Sequence, residues 1–209
     1  MNPIPSIQAL DAYAGHRTGL APHYLTLWSL AIGLGAKRVF EFGRGESTTV
    51  LLDALRHTQG HLISISTDGF SSSDNHWCHL VGKSEELLPT ITELGPFDLV
   101  LHDGSHAASI LSSDLRWAIP QIKNGGLVLI HDTMHSYSGK EMRLGLAEAL
   151  GCIHSADPSI VMSWMTLPFA FGLMVIQVFN GKHLPVTPTC MDKPSSPHHS
   201  ELFWIDLAS

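Results

Sequence analysis

The fold is decided by two apolar stretches, FDLVLHDGSH at residues 97–106 and GGLVLIHDT at residues 125–133. Each runs unbroken into a carboxylate and a turn, which is typical of a strand buried on both faces of a parallel sheet. Apolar side chains recur at helical spacing between them, so residues 107–121 are predicted to form one crossover helix. We therefore expect the two strands to be neighbours, with Asp103 facing His131 and Asp132 across about 5 Å at their carboxyl ends.

A glycine turn follows the first predicted strand, residues 38–42, and leads into a helix predicted for residues 46–57. Glycine permits a tight turn and close approach of a ligand, and free N–H groups at a helix start attract anions. The turn is neither a Gly-x-Gly-x-x-Gly motif nor a P-loop, so a dinucleotide site is not predicted. The candidate ligand contacts in this segment are Glu41, Gly43, Gly45, Ser47 and Thr48.

The second predicted strand, residues 61–66, ends at Thr67 and Asp68. An acid at this point commonly holds the hydroxyl pair of a ribose. Asp68 could equally cap the loop, and both interpretations stay open. The remaining predictions are a strand at residues 79–82, helices at 85–93 and 138–150, and strands at 162–167 and 173–179.

The uncharged stretch from Pro158 to Gly181 is long enough to cross a bilayer. Pro168 and Gly172 interrupt it, so we interpret it as two buried strands joined by a turn and expect no membrane span. The formal net charge of −7, without a run of Lys or Arg, argues against a nucleic-acid partner.

Three widely spaced cysteines without zinc-site spacing indicate free thiols in a reducing compartment. The first residues lack the basic and apolar regions of a signal peptide. We therefore expect a cytoplasmic protein.

The chain divides into a helical N-terminal cover at residues 1–35, one main domain at residues 36–180, and an irregular tail at residues 181–209. The N-terminal segment could cover a sheet edge or act as a lid over a pocket. The candidate lid contacts are Tyr13, His16, Arg17, His23 and Tyr24. The apolar residues Phe203, Trp204 and Ile205 could contact either the same chain or a partner chain, so a homo-oligomer stays open.

Three segments resemble motifs of class I S-adenosylmethionine-dependent methyltransferases. Residues 39–48, VFEFGRGEST, resemble the first motif. The two stretches quoted above are similar to fourth- and fifth-strand motifs of the branch that includes macrolide-sugar O-methyltransferases and enzymes related to cephalosporin hydroxylase. The resemblance implies a Rossmann-like, doubly wound α/β sheet of seven strands, mostly parallel with an antiparallel last strand, with helices on both faces.

The resemblance also implies the cofactor contacts in the main domain, which would bind S-adenosylmethionine. Gly43 and Gly45 would line its methionine part, and Glu41 would hold its amino group. Asp68 would take the ribose, while Ser84 and Glu85 would lie near the adenine. One departure concerns the ribose, because Ser66 stands where the branch usually has an acid at the end of the second strand.

A metal site and a base are implied in the same way. Asp103, His131 and Asp132 match positions that bind magnesium in metal-dependent members, and His106 matches the proposed base. His131 departs from the usual carboxylate, and a neutral imidazole suits Mn²⁺, Fe²⁺ or Zn²⁺ better than hard Mg²⁺. Whether a divalent metal, Mg²⁺ or Mn²⁺, assists the reaction therefore stays open.

The expected function is O-methylation of a small-molecule hydroxyl. The metal would lower the hydroxyl pKa, and His106, with Asp103, would serve as the catalytic group that handles the proton. Two alternatives stay open. One is a metal-free methyltransferase that uses His106 or Asp103 as base, and the other is a non-catalytic module that binds the cofactor or a partner.

Overall fold

Seven strands form the frame of the structure, a computed structural model that describes residues 19–69, 73–91 and 94–180. The strands are β1 (Arg38–Phe42), β2 (His61–Ser66), β3 (Trp77–Val81), β4 (Phe97–His102), β5 (Ile122–His131), β6 (Ile160–Leu167) and β7 (Leu173–Asn180). The helices are α1 (Tyr24–Gly33), α2 (Glu46–Thr58), α3 (Ser84–Leu87), α4 (Ala108–Ala118) and α5 (Gly139–Ala156). Short 3₁₀ turns occupy Ala21–His23, Leu88–Thr90 and Ile119–Gln121.

The strands pair in one sheet in the order β3-β2-β1-β4-β5-β7-β6. β7 runs antiparallel to both β5 and β6, and the pairs from β3 to β5 are parallel. β4 and β5 are neighbours, with Leu101 opposite Leu129 and His102 opposite Ile130. The predicted fold class and the predicted pairing of these two strands are confirmed.

Helices cover both faces of the sheet because side chains of a buried strand alternate between two apolar layers. Phe40 and Val100 pack with α4 and α5 on one face, and Val39 and Leu101 pack with α1 and α2 on the other. All four side chains are completely buried. The two cores hold the sheet rigid, so the loops at its carboxyl edge have a fixed base.

Some predicted bounds are wrong. The helix predicted for residues 85–93 is the short α3 followed by a 3₁₀ turn. The helix predicted to end before Gly151 continues to Ala156, since nothing crowds Gly151 and Ile153 in the next turn is buried. A glycine inside a helix costs about 1 kcal/mol relative to alanine, and burial of Ile153 offsets that cost.

The uncharged stretch forms β6 and β7, as predicted. No helix in the three described ranges is long and apolar enough to cross a membrane. The described part of the predicted cover consists of a 3₁₀ turn and α1, which packs on α2. Residues 1–18 and the predicted tail at residues 181–209 lie outside the described residues, so the domain bounds stay predictions.

Candidate active site

The turn after β1 is held between the ends of β2 and β4. The Gly43 N–H donates to the carbonyl of Ile65, and the Asp103 N–H donates to the carbonyl of Phe42, both at 2.9 Å. Gly43 has φ of +102°, and a Cβ at this position would lie 2.5 Å from the Asp103 carbonyl oxygen. Both the backbone conformation and the close packing therefore require glycine here.

A cavity of about 510 Å³ opens over the carboxyl ends of the strands next to this turn. This volume is in the range of small-molecule sites. Its lining includes Gly43, Ser66, Thr67, Ser84, Glu85 and Gly104. Three predicted cofactor contacts, Gly43, Ser84 and Glu85, are therefore brought together.

Gly45 and Asp68 are exposed and lie outside the lining of this cavity. Ser66 and Thr67 line the cavity at the end of β2, where the ribose acid was predicted. A Cβ at Gly45 would meet no atom within 4 Å, so the surrounding protein does not require glycine there. The roles of Gly45 and Asp68 in cofactor binding stay predictions.

Glu41 is a residue of β1 and is completely buried beside the first turn of α2. The Ser47 hydroxyl donates to its Oε1 at 2.6 Å, and the Thr48 hydroxyl donates to its Oε2 at 2.7 Å. Burial raises the pKa of Glu41 to about 7, although the two hydroxyls act in the opposite direction. Direct contact with a ligand would require Ser47 and Thr48 to move, so the cofactor role predicted for these three residues stays a prediction.

Asp103, His131 and Asp132 form an acidic centre where β4 and β5 end. Each of the three residues offers one atom that could bind a metal, and these three atoms all lie within 4.8 Å of one another. His131 Nδ1 lies 3.0 Å from Asp103 Oδ1 and 3.4 Å from Asp132 Oδ1. His106 Nε2 lies 2.8 Å from Asp132 Oδ2. The predicted meeting of Asp103 with His131 and Asp132 at one edge of the sheet is therefore observed, and His106 lies beside them.

His131 is positioned by the turn between β6 and β7. Its Nε2 lies 3.1 Å from the carbonyl oxygen of Ala170, and since a carbonyl only accepts, this nitrogen carries a proton. Burial opposes charge on the ring, but hydrogen bonds to Asp103 and Asp132 and the charges of those acids raise the pKa of His131 to about 9. The same interactions with His131 lower the pKa of Asp132 despite its burial.

This donor set fits a divalent metal. With Nε2–H held by a carbonyl, Nδ1 of His131 is the nitrogen left to bind a metal beside the Asp103 and Asp132 carboxylates. Metal binding would displace the Nδ1 proton. One imidazole and two carboxylates suit Mn²⁺ at least as well as Mg²⁺.

The sequence did not reveal the contacts of the β6–β7 turn. The Phe169 carbonyl accepts a hydrogen bond from Nε2 of the buried His23 at 3.0 Å. The phenyl ring of Phe169 also stacks on the imidazole of His23, with ring centroids 4.4 Å apart. Ala170 and Phe171 both have positive φ, of 48° and 66°. Pro168 and Gly172 predicted a turn, but no sequence signal indicates where its carbonyls point.

Two candidate lid contacts lie beside this site. The His23 and His131 ring centroids are 5.8 Å apart, and burial lowers the pKa of His23. The Tyr24 hydroxyl donates to Glu46 Oε2 at 3.2 Å. Tyr13, His16 and Arg17 lie outside the described residues, so the choice between cover and lid stays open.

A buried polar pair under the cavity was also missed. His102 Nε2 lies 3.0 Å from Asp114 Oδ2, and Asp114 contributes to the lining of the cavity. The signal was present, because Asp114 falls on the helix face that carries the buried Leu111 and Leu115. An acid on an apolar helix face predicts a buried partner.

Comparison with known proteins gives a consistent result. Residues 40–133 match the family described as methyltransferase domain. Over 45 residues the chain is 40% identical to L-olivosyl-oleandolide 3-O-methyltransferase of Streptomyces antibioticus. That match covers 22% of this chain and only 12% of the curated relative.

Solved structures share the fold. The O-methyltransferase TomG of Streptomyces achromogenes, solved with S-adenosylmethionine, has a TM-score of 0.59 at 17% identity, over 85% of this chain and 91% of that chain. MycE methyltransferase from the mycinamycin pathway, solved with Mg, S-adenosylhomocysteine and mycinamycin VI, has a TM-score of 0.58 at 19% identity, over 80% of this chain and 52% of that chain. Residues 40–133 therefore match a methyltransferase domain, and the surrounding fold is the Rossmann-like fold that these O-methyltransferase structures share.

Proposed function

We propose that this protein transfers a methyl group from S-adenosylmethionine to the hydroxyl of a small molecule. The observation that carries the proposal is that the cavity and the acidic centre are adjacent. The cavity and the acidic centre lie at the same edge of the sheet, where the Asp103 backbone packs against Gly43 and its side chain contacts His131. The names of TomG and the Streptomyces antibioticus relative support the same reaction class.

S-adenosylmethionine, when bound, supplies a methyl group on a sulfonium: the acceptor oxygen forms the new C–O bond as the C–S bond breaks, the electron pair stays on sulfur, and the hydroxyl proton must leave. The cavity residues Ser84 and Glu85 would bind the nucleoside end. The turn at Gly43 would direct the methionine end towards Asp103. The chain thus contributes alignment and removal of a proton.

His106 is the base that we propose. Its side chain is 44% exposed, so an acceptor can reach it, and Nε2 contacts the Asp132 carboxylate. A carboxylate accepts, so Nε2 donates and Nδ1 is the nitrogen that takes the proton. Asp132 orients the ring and stabilises its protonated form, as the acid does in a catalytic triad.

A divalent metal, Mg²⁺ or Mn²⁺, would be held by Asp103, His131 and Asp132. It would supply a Lewis acid that lowers the pKa of the acceptor hydroxyl. A metal-free version of the reaction is the alternative, in which the two acids contact His131 directly, with its Nδ1 3.0 Å from Asp103 Oδ1 and 3.4 Å from Asp132 Oδ1. Activity after exhaustive chelation separates these versions.

The proposal extends to the location, the partner and the oligomeric state of the protein. A cytoplasmic location is supported by the free thiols of Cys78 and Cys152 in the described part of the chain. The acceptor, rather than nucleic acid or membrane, would be the partner.

A homo-oligomer would form at the edge strand β6, where the apolar side chains of Val161, Trp164 and Met165 are exposed. Measurement of the mass in solution tests this.

The test is calorimetric titration with S-adenosylmethionine and S-adenosylhomocysteine, followed by mass spectrometry of a broad hydroxyl panel. Ser84→Trp fills the cavity and should abolish binding. Ser163→Trp is the matched control, because Ser163 lines a separate cavity of about 450 Å³ between α1 and the β6 edge. Binding without turnover of any hydroxyl would favour the non-catalytic module, and equal binding by both variants would contradict the proposed cavity.

A further inference from the structure

We propose that Asp114 determines which nucleoside base the cavity takes, by accepting a hydrogen bond from the exocyclic amino group of adenine. The inference rests on the proposed function and adds a specificity-determining residue to it. The cofactor contacts predicted for this end of the cavity are Ser84 and Glu85, and Asp114 was not among them. The inference requires that Asp114 reach the cavity, offer an acceptor atom, be fixed in place and meet a donor.

Asp114 lies at the cavity on helix α4. Ile110, one helical turn earlier on the same helix face, lines the cavity with it. Helix α4 lies next to α3, and Ser84 and Glu85 of α3 also line the cavity. Asp114 therefore borders the end of the cavity where we propose that the nucleoside binds.

The carboxylate of Asp114 has one oxygen with a partner and one without. Its Oδ2 lies 3.0 Å from His102 Nε2, and since a carboxylate only accepts, this nitrogen donates. Its Oδ1 has no hydrogen-bond partner among the described residues, although Asp114 is only 1% exposed. Buried polar atoms nearly always have a partner, because an unpaired one has lost its water without compensation. The unpaired oxygen therefore indicates a ligand that donates to it.

The surroundings of Asp114 hold its carboxylate in one place. His102 is completely buried on β4, and its ring lies against that of Phe42 with centroids 5.1 Å apart. Leu111 and Leu115 are also completely buried, so α4 cannot rotate without exposing them. An acceptor that is held before the ligand arrives loses little entropy on binding. It also cannot turn away from a base that offers the wrong group.

Adenine offers the group that this acceptor needs. Phe42, Ile65 and Ile110 give the cavity an apolar lining, and in such a lining a few polar groups set the orientation of the ligand. The exocyclic amino group of adenine donates, whereas hypoxanthine has a carbonyl at the same ring position, which only accepts. A carbonyl facing Oδ1 would leave the carboxylate oxygen unpaired and repel it. Asp114 therefore favours adenine over hypoxanthine.

The first experiment uses the wild-type protein and depends on no variant. Calorimetric titration compares S-adenosylhomocysteine with S-inosylhomocysteine, in which a carbonyl replaces the exocyclic amino group. We expect the inosyl compound to bind about 30-fold more weakly or worse, because a buried acceptor loses its donor. A difference of less than about threefold would overturn the inference and leave Oδ1 to water or to a ribose hydroxyl. Tighter binding of the inosyl compound would overturn it too, because Asp114 would then donate.

Asp114→Asn tests the residue itself. His102 Nδ1 has no partner in the described part of the chain, so a proton moved there would be unpaired, and Nε2 keeps its proton. The new amide then keeps its oxygen on Nε2–H and presents its NH₂ group to the base. This group donates to a carbonyl and not to an amino group. The dissociation constant of S-inosylhomocysteine, divided by that of S-adenosylhomocysteine, should fall about tenfold or more.

Asp53→Asn is the matched control. Asp53 lies on α2, accepts a hydrogen bond from the Trp28 ring N–H at 2.9 Å, and does not line the cavity. It undergoes the same chemical change and should leave the ratio of the two dissociation constants unchanged.

The ratio decides the outcome, because a purely structural defect weakens both ligands alike. An unchanged ratio in Asp114→Asn overturns the inference, and so does an equal fall in Asp53→Asn. Far-UV circular dichroism reports folding, and if Asp114→Asn does not fold, the wild-type comparison decides alone. Failure of the wild type to bind either ligand would refute the proposed function, whereas binding of both without discrimination refutes only the base contact.

Discussion

The two glycines of the turn after β1 give a paired test of the site geometry. Gly43→Ala and Gly45→Ala make the same chemical change two residues apart. Gly43 has φ of +102° with the Asp103 carbonyl 2.5 Å from the position of a Cβ, while a Cβ at Gly45 would meet nothing within 4 Å. We expect a large loss of stability from the first change and a small one from the second.

The magnitude follows from these two features. A left-handed conformation costs a residue with a Cβ roughly 1–2 kcal/mol, and overpacking against a neighbour that cannot yield costs about 1–3 kcal/mol more. Here the neighbour is backbone at the end of β4, which the sheet holds on both sides. Gly43→Ala should therefore lower the free energy of unfolding by about 2–5 kcal/mol, and Gly45→Ala by less than about 1 kcal/mol.

Urea unfolding followed by circular dichroism measures both values. Thermal unfolding should show a fall of roughly 5–15 °C for Gly43→Ala, by the usual scaling for a chain of this size. The variant should stay folded at room temperature, since domains commonly have about 5–15 kcal/mol of stability. Equal losses in the two variants would refute the reasoning, because they would mean that the Asp103 carbonyl does not pack against this turn.

Three further predictions concern single side chains. The pKa of Glu41 is raised, so this residue stabilises the fold at pH values below the ordinary carboxyl pKa and loses that effect as pH rises through about 7. Glu41→Gln lacks this titration. The difference between the unfolding free energies of the wild type and Glu41→Gln should therefore fall by roughly 3 kcal/mol between pH 4 and 8. Asp98 accepts hydrogen bonds from two backbone N–H groups and from Lys123, so Asp98→Asn should cost about 1–3 kcal/mol at pH 7. Because the pKa of Asp98 is lowered, denaturation at a series of pH values should show this cost vanish as pH falls through that lowered pKa. Asp132→Asn should weaken Mn²⁺ binding to metal-stripped protein by about tenfold or more in electron paramagnetic resonance titrations; unchanged affinity would exclude Asp132 as a ligand.

The presence of the central strands could be predicted because the apolar runs of β4 and β5 are long and bounded by turn residues. β1 and β2 have the predicted bounds, and a single crossover length made β4 and β5 neighbours. Helix ends were harder, because they depend on which residues become buried. The extension of α5 past Gly151 follows from the burial of Ile153, which local sequence does not specify.

The acidic centre was predictable for the same reason as the sheet. Side chains that follow neighbouring parallel strands must meet at one edge, so Asp103, His131 and Asp132 were expected together. The contacts of Ala170 and Phe169 were not, since they involve backbone carbonyls of a turn distant in sequence from their partners. Hydropathy and spacing describe side chains and carry little information about carbonyl direction.

The packing of Gly43 on the Asp103 backbone has a consequence for the coupling between the cavity and the acidic centre. A shift of either loop would press on the other, because the Asp103 N–H donates to the Phe42 carbonyl and the Asp103 backbone packs against Gly43. Donor and acceptor occupancy are then thermodynamically linked, and each ligand must change the affinity for the other by the same factor. If the proposed function holds, filling the cavity with S-adenosylhomocysteine would therefore change the affinity of the acidic centre for the acceptor, in whichever order the two ligands bind.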